Sequence, residues 1–121
     1  MKLIANLLVA IHNVASAEAV VLAQKTGLNM EQFYQVISAS PCSSKIFELR
    51  APLMISDTYE PATMKLDVWQ KDMKLIREFA DNAKSPIPLF AATEPLYQAA
   101  VDAELGHQDT AAVCNILRTN E

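Results

Sequence analysis

Glycine is nearly missing from this chain: 121 residues contain only two, Gly27 and Gly106. A glycine-rich phosphate cradle of the GxGxxG type needs three in close register, so the sequence cannot build one. Cysteine is equally sparse. Cys42 and Cys114 lie far apart, with no CxxC pair and no Cys/His spacing suited to zinc, and they read as two reduced thiols, at least one of them buried. A reactive cysteine needs a base beside it, and neither His12 nor His107 has a local tie to either thiol. There is no basic excess. The formal net charge is −4, and lysines and arginines are scattered rather than striped, which makes nucleic acid a poor partner. Period-two alternation and hairpin turn signals are absent, which argues against a sheet. No stretch reads as clean enough to span a membrane. The segment Ala15-Ser16-Ala17 resembles a leader-peptide cleavage site. However, Asn6, His12 and Asn13 interrupt the preceding run, and the apolar pattern continues through Val20 to Leu22, so a secretory leader is not expected.

What is present is apolar and helical. Hydrophobic residues make up 51% of a chain of one-domain length. Residues from about Leu3 to Lys25 read as one long helix, apolar almost all round and stopped by Gly27. Asn29 is placed to cap a second helix, with Gln32 three residues on, and Pro41 to end it. Ser43 or Ser44 caps a third helix, which Pro52 should end or kink. Ser56 to Pro61 reads as a loop. Leu66, Trp69, Met73, Ile76 and Phe79 give a fourth helix, from about Met64 to Ala83, its apolar face. After the Ser85-Pro86-Ile87-Pro88 break a fifth helix runs to Leu105, with a bend expected at Pro95 and a stop at Gly106. Asp109 caps a last helix ending near Arg118. The expected fold is all-α: a single domain, residues 1–121, in which six or seven helices surround a long central first helix.

One polar strip stands out on the first helix. At 100° per residue, Lys2, Asn6, Asn13 and Ser16 fall within about 80° of one another. Such a strip is either a solvated stripe or the floor of a cleft. In a cleft, an amine and an amide four residues apart converge on one ligand, the amine exchanging a proton and the amide holding a hydroxyl or carboxylate.

Met1-Lys2-Leu3-Ile4-Ala5-Asn6 resembles the KxxxN motif that opens the second domain of the β-hydroxyacid dehydrogenases. That family includes 3-hydroxyisobutyrate dehydrogenase, tartronate semialdehyde reductase and relatives of 6-phosphogluconate dehydrogenase. The likeness continues through Ala17-Glu18-Ala19, Ala23 to Leu28, Ser38-Ala39-Ser40, Leu66 to Met73 and the Gly106, Asp109, Ala111, Ala112 tail, covering almost the whole chain. It implies a 6-phosphogluconate dehydrogenase-like C-terminal domain for substrate binding and dimerisation. Lys2 is then the catalytic acid/base, Asn6 the substrate-holding amide and Lys71 a contact to the dinucleotide, with Asp72 structural. Read without the family, Lys71 is an exposed helical lysine with an i,i+4 partner in Asp67. The resemblance further implies NAD or NADP as cofactor, a small 3-hydroxy acid such as 3-hydroxyisobutyrate as substrate, homo-oligomers and a cytoplasmic setting. It also implies a preceding Rossmann domain that this chain does not carry, so the chain alone is expected to be inactive. Two positions depart from the pattern: Ala5 stands where many members have a second asparagine, and His107 where the tail has a second glycine. The alternative is a non-catalytic helical interaction or oligomerisation module derived from the same fold.

Overall fold

The computed structural model describes residues 1–119, and among these it is all helix. The order is α1 (Lys2–Lys25), α2 (Met30–Ser38), α3 (Lys45–Ser56), α4 (Leu66–Asn82), α5 (Pro88–Asp102), a short 3-10 turn (Thr110–Ala112) and α6 (Val113–Thr119). α1 is the axis of the bundle and packs against α3, α4, α5 and α6. By length and hydropathy α1 does reach the range of a membrane-crossing helix, with a best 18-residue window averaging 1.5, where the sequence reading expects no such stretch. Its polar side chains explain the difference. The hydroxyl of Ser16 and the amide of Asn13 are both buried and hydrogen-bonded inside the bundle, so α1 is built as a core helix.

The caps follow local chemistry. Asn29 accepts a bond from the Gln32 amide at 2.9 Å, and Ser44 rather than Ser43 accepts from the Phe47 amide at 3.0 Å. Gly27 closes α1 with φ +79°, and the Leu28 amide reaches back to the Ala23 carbonyl at 3.1 Å. α2 ends at Ser38, before Pro41 is reached.

Several elements depart from the sequence reading. α4 starts at Leu66 rather than Met64, because Lys65 is extended and bridged to Asp109 while the Met64 carbonyl accepts from the Thr110 amide. Phe79 is about half exposed, and Ala80 takes the inward position expected of it. α5 stops at Asp102, three residues early, with Glu104 in the left-handed conformation. Gly106 is therefore not a helix stop. A Cβ there would collide with the Asp67 carboxylate, so glycine is required for close approach.

The prolines are the largest departure. Pro52 does not end α3, which runs through it to Ser56. A helical proline leaves the carbonyl four residues back without its usual N–H partner. That carbonyl belongs to Glu48, and the Tyr34 hydroxyl donates to it at 2.9 Å from α2. α5 likewise continues through Pro95.

Asp109 ties the end of the chain to the loop before α4. One carboxylate oxygen accepts from the Thr63 and Met64 amides at 3.0 and 3.3 Å, and the other accepts from the Ala111 amide at 2.9 Å. Arg118 anchors α6 through Gln24, Asn115, Tyr59, Asp57 and the Met54 carbonyl.

Candidate functional site

Lys2 and Asn6 lie one turn apart at the open end of α1. Lys2 is exposed and Asn6 half-buried. The strip they begin is not a solvated stripe along its whole length. Asn13 is fully buried and Ser16 nearly so, on the same side of α1 as Ala17 and Val20. The polar residues therefore run along the inward face, and only the first turns, where neighbouring helices no longer cover that face, leave them open. All eight buried residues of α1 fall between Ala10 and Ala23. An amine and an amide are thus presented from the inner side of a helix end, not from its outer surface.

The apolar side of this end is shared with α4 and α5. A groove of about 210 Å³ is lined by Leu3, Ile4 and Leu7 of α1, Ile76 and Phe79 of α4, and Ile87 just before α5. α1 and α4 hence run in opposite directions, while α5 starts beside the start of α1.

Lys71 is placed elsewhere. It stands on the exposed side of α4, eight residues from Phe79, or about 12 Å along the helix axis. The Gln70 amide donates to Gln98 at 3.0 Å, which fixes this level of α4 against the second half of α5. Within this chain Lys2 and Asn6 are brought together, and Lys71 lies at a different level of the bundle. The i,i+4 partner expected for Lys71 is also engaged differently. Asp67 packs over Gly106, and no ion pair joins Asp67 to Lys71 among the described residues.

Nothing here fits a pyrophosphate cradle. Gly27 is spent on the α1 terminus and Gly106 on the approach of Asp67.

Sequence reasoning missed the buried polar cluster beneath the site. The Asn13 amide donates to the Tyr97 hydroxyl and to the Thr110 carbonyl, both at 3.0 Å. Tyr97 in turn donates to the Ala10 carbonyl at 2.8 Å. Arg50 donates to the Thr110 hydroxyl and lies 3.8 Å from the Asp109 carboxylate. Burial pushes the Tyr97 phenol well above its ordinary range, so it stays a neutral hydroxyl able to donate and accept together. A signal did exist for Arg50. Phe47, Arg50, Ala51 and Met54 have the i, i+3, i+4, i+7 spacing of a buried face. A further grouping escaped the linear reading: His12 and Cys42 line one groove of about 300 Å³, with Ser16, Ser43, Ser44 and Phe47.

Residues 1–117 match the family model described as NAD-binding of NADP-dependent 3-hydroxyisobutyrate dehydrogenase. The chain is 34% identical over 116 residues to an L-threonate dehydrogenase of Cupriavidus necator, covering 96% of this chain and 39% of that protein. It is 31% identical over 118 residues to the chloroplastic glyoxylate/succinic semialdehyde reductase 2 of Arabidopsis thaliana, covering 98% of this chain and 33% of the relative. Its fold superposes on a crystal structure of 3-hydroxyisobutyrate dehydrogenase from Salmonella typhimurium with a TM-score of 0.89, at 30% identity, covering 95% of this chain and 40% of that one. The chain therefore spans about two-fifths or less of the length of these relatives. On the family model, the identities and the shared fold, the chain belongs to the β-hydroxyacid dehydrogenase family as an all-helical domain.

Proposed function

We propose that this chain is the C-terminal, substrate-binding half of an NAD- or NADP-dependent oxidoreductase acting on a small 3-hydroxy acid such as 3-hydroxyisobutyrate. The observation that carries the reading is the pairing of Lys2 with Asn6 on the inward face of α1, at the one end where that face is open. Lys2 exchanges a proton with the substrate hydroxyl as its carbon is oxidised or reduced. Asn6, about 6 Å further along the axis, hydrogen-bonds the substrate and fixes its orientation. Lys71 reaches the dinucleotide, which a Rossmann half supplies along with its phosphate cradle. The dinucleotide, when bound there, gives or takes the hydride. The 121-residue chain alone is therefore inactive. Assembly as a homo-oligomer in the cytoplasm belongs to the same proposal, supported by family membership, with two free thiols consistent with a reducing compartment.

The test joins this chain to a dinucleotide-binding half and follows nicotinamide absorbance with a panel of small 3-hydroxy acids. Turnover of at least one acid is expected, with Asn6→Ala raising KM by roughly ten-fold or more, the scale of one lost hydrogen bond to a charged group. Absence of turnover with every acid would favour the non-catalytic helical module.

A further inference from the structure

We propose that Tyr97 is a positioning residue for the turn of α1 that carries Lys2 and Asn6, acting through Asn13 and the Ala10 carbonyl. What that turn does rests on the functional reading above; how it is held rests on packing alone.

The first two turns of α1 are held by partly buried apolar contacts of Leu3, Leu7 and Val9, which can slide, rather than by polar bonds that fix a rotation. No residue before Ala10 is buried. The helix start has no side-chain cap bond and no acidic residue in its first turn. Lys2 adds a cation at the positive end of the helix dipole, which weakens that turn further. The nearest fully buried positions with hydrogen bonds to another helix are Ala10 and Asn13, and Tyr97 binds both. Its hydroxyl donates to the Ala10 carbonyl at 2.8 Å and accepts from the Asn13 amide at 3.0 Å. The same amide is held by the Thr110 carbonyl at 3.0 Å. Behind Thr110 stand Arg50 and Asp109, the latter fully buried. The Tyr97 ring is itself fixed edge-on to Trp69, with centroids 6.2 Å apart.

These bonds set the rotation of α1 about its own axis. Lys2, Asn6 and Asn13 lie within about 40° of one another around the helix, so whatever orients Asn13 also orients the amine and amide above it. A rotation of about 20° moves groups at the rim of a helix, some 5–6 Å from its axis, by about 2 Å. A displacement of 1 Å at a reacting group can cost on the order of a hundred-fold in rate.

Tyr97→Phe removes the hydroxyl and keeps the ring. Amide hydrogen exchange on the 121-residue chain is the first readout, with Asn13→Ser, which withdraws the amide from Tyr97 and leaves the phenol on the Ala10 carbonyl, as a second variant should Tyr97→Phe fold poorly. Exchange at Asn6 to Val9 is expected to speed up at least ten-fold more than exchange at Val20 to Ala23. Equal acceleration at both ends of α1, or none at Asn6 to Val9, overturns the proposal and makes Tyr97 an ordinary core residue. The second readout is kinetic, in the chain joined to its dinucleotide-binding half, where kcat is expected to fall at least ten-fold with KM moving less. Local loosening of α1 with kcat unmoved would instead contradict the catalytic reading of Lys2 and Asn6, while leaving Tyr97 as the residue that holds that turn.

Discussion

Cys42 and Cys114 carry the same thiol in opposite settings. Cys42 is exposed in the turn after α2, and Cys114 is buried in α6. Burial pushes the Cys114 thiol up, only partly offset by the nearby Arg118 guanidinium, so it is a poor source of thiolate. Alkylation of the native chain near pH 8 is expected to label one thiol, Cys42, within the time needed to label a free cysteine. Both react in denaturant, and rapid labelling of two thiols in the native chain would contradict the burial of Cys114. At this scale the sequence was informative where chemistry is local. Lys2 and Asn6 are visible as a pair because one helical turn separates them, and the strip they begin points at Asn13. Tyr97 was not visible, because its contact with Asn13 joins residues 84 apart in the chain. Nor was the sharing of one groove by His12 and Cys42, which depends on how α1 meets the turn before α3.

Pro52 shows how one helix corrects another. The Glu48 carbonyl loses its usual partner to the proline, and Tyr34 supplies a hydroxyl from α2. Tyr34 also stacks on Phe47, with centroids 5.7 Å apart, so the ring is held where its hydroxyl is needed. Tyr34→Phe is expected to cost about 0.5–1.5 kcal/mol in denaturant unfolding, the net worth of one hydrogen bond. The same change in a Pro52→Ala background is expected to cost less, since an alanine there restores the N–H that the Glu48 carbonyl lacks. Additive effects in that double-mutant cycle would sink the explanation. Caps and stops at Asn29, Ser44 and Gly27 could be read from sequence, because the groups that satisfy them are within a few residues. Pro52 and Gly106 depart from their sequence reading for the opposite reason. A proline breaks a helix only if nothing elsewhere stabilises it, and Gly106 answers to Asp67 on another element.

The bundle as a whole should fail first in alkali through its buried phenols. Burial holds Tyr59 at about 12, against an ordinary value of 10.0, even though Arg118 pulls the other way. Tyr97 is raised as well, again by burial. A raised folded-state value means the unfolded chain loses its proton first as pH climbs. The contribution of Tyr59 is therefore complete below about pH 10 and lost between pH 10 and about 12, while that of Tyr97, raised further, is still being lost at the top of that interval. The Tm is expected to fall over that interval, and less so in Tyr59→Phe. A Tm unchanged up to pH 12 would contradict the burial of both phenols. The all-helical architecture was legible from apolar periodicity, and α1 was recognisable as its axis from being apolar nearly all round. Where Lys71 stands relative to Lys2 was not, since it depends on the opposed directions of α1 and α4. The proposed acid/base role of the exposed amine at the start of α1 is open to steady-state kinetics of Lys2→Ala in the chain joined to a dinucleotide-binding half. The kcat is expected to drop by about 10²–10⁴, the usual share of a general acid or base, with KM within a few-fold. An unchanged kcat would contradict it.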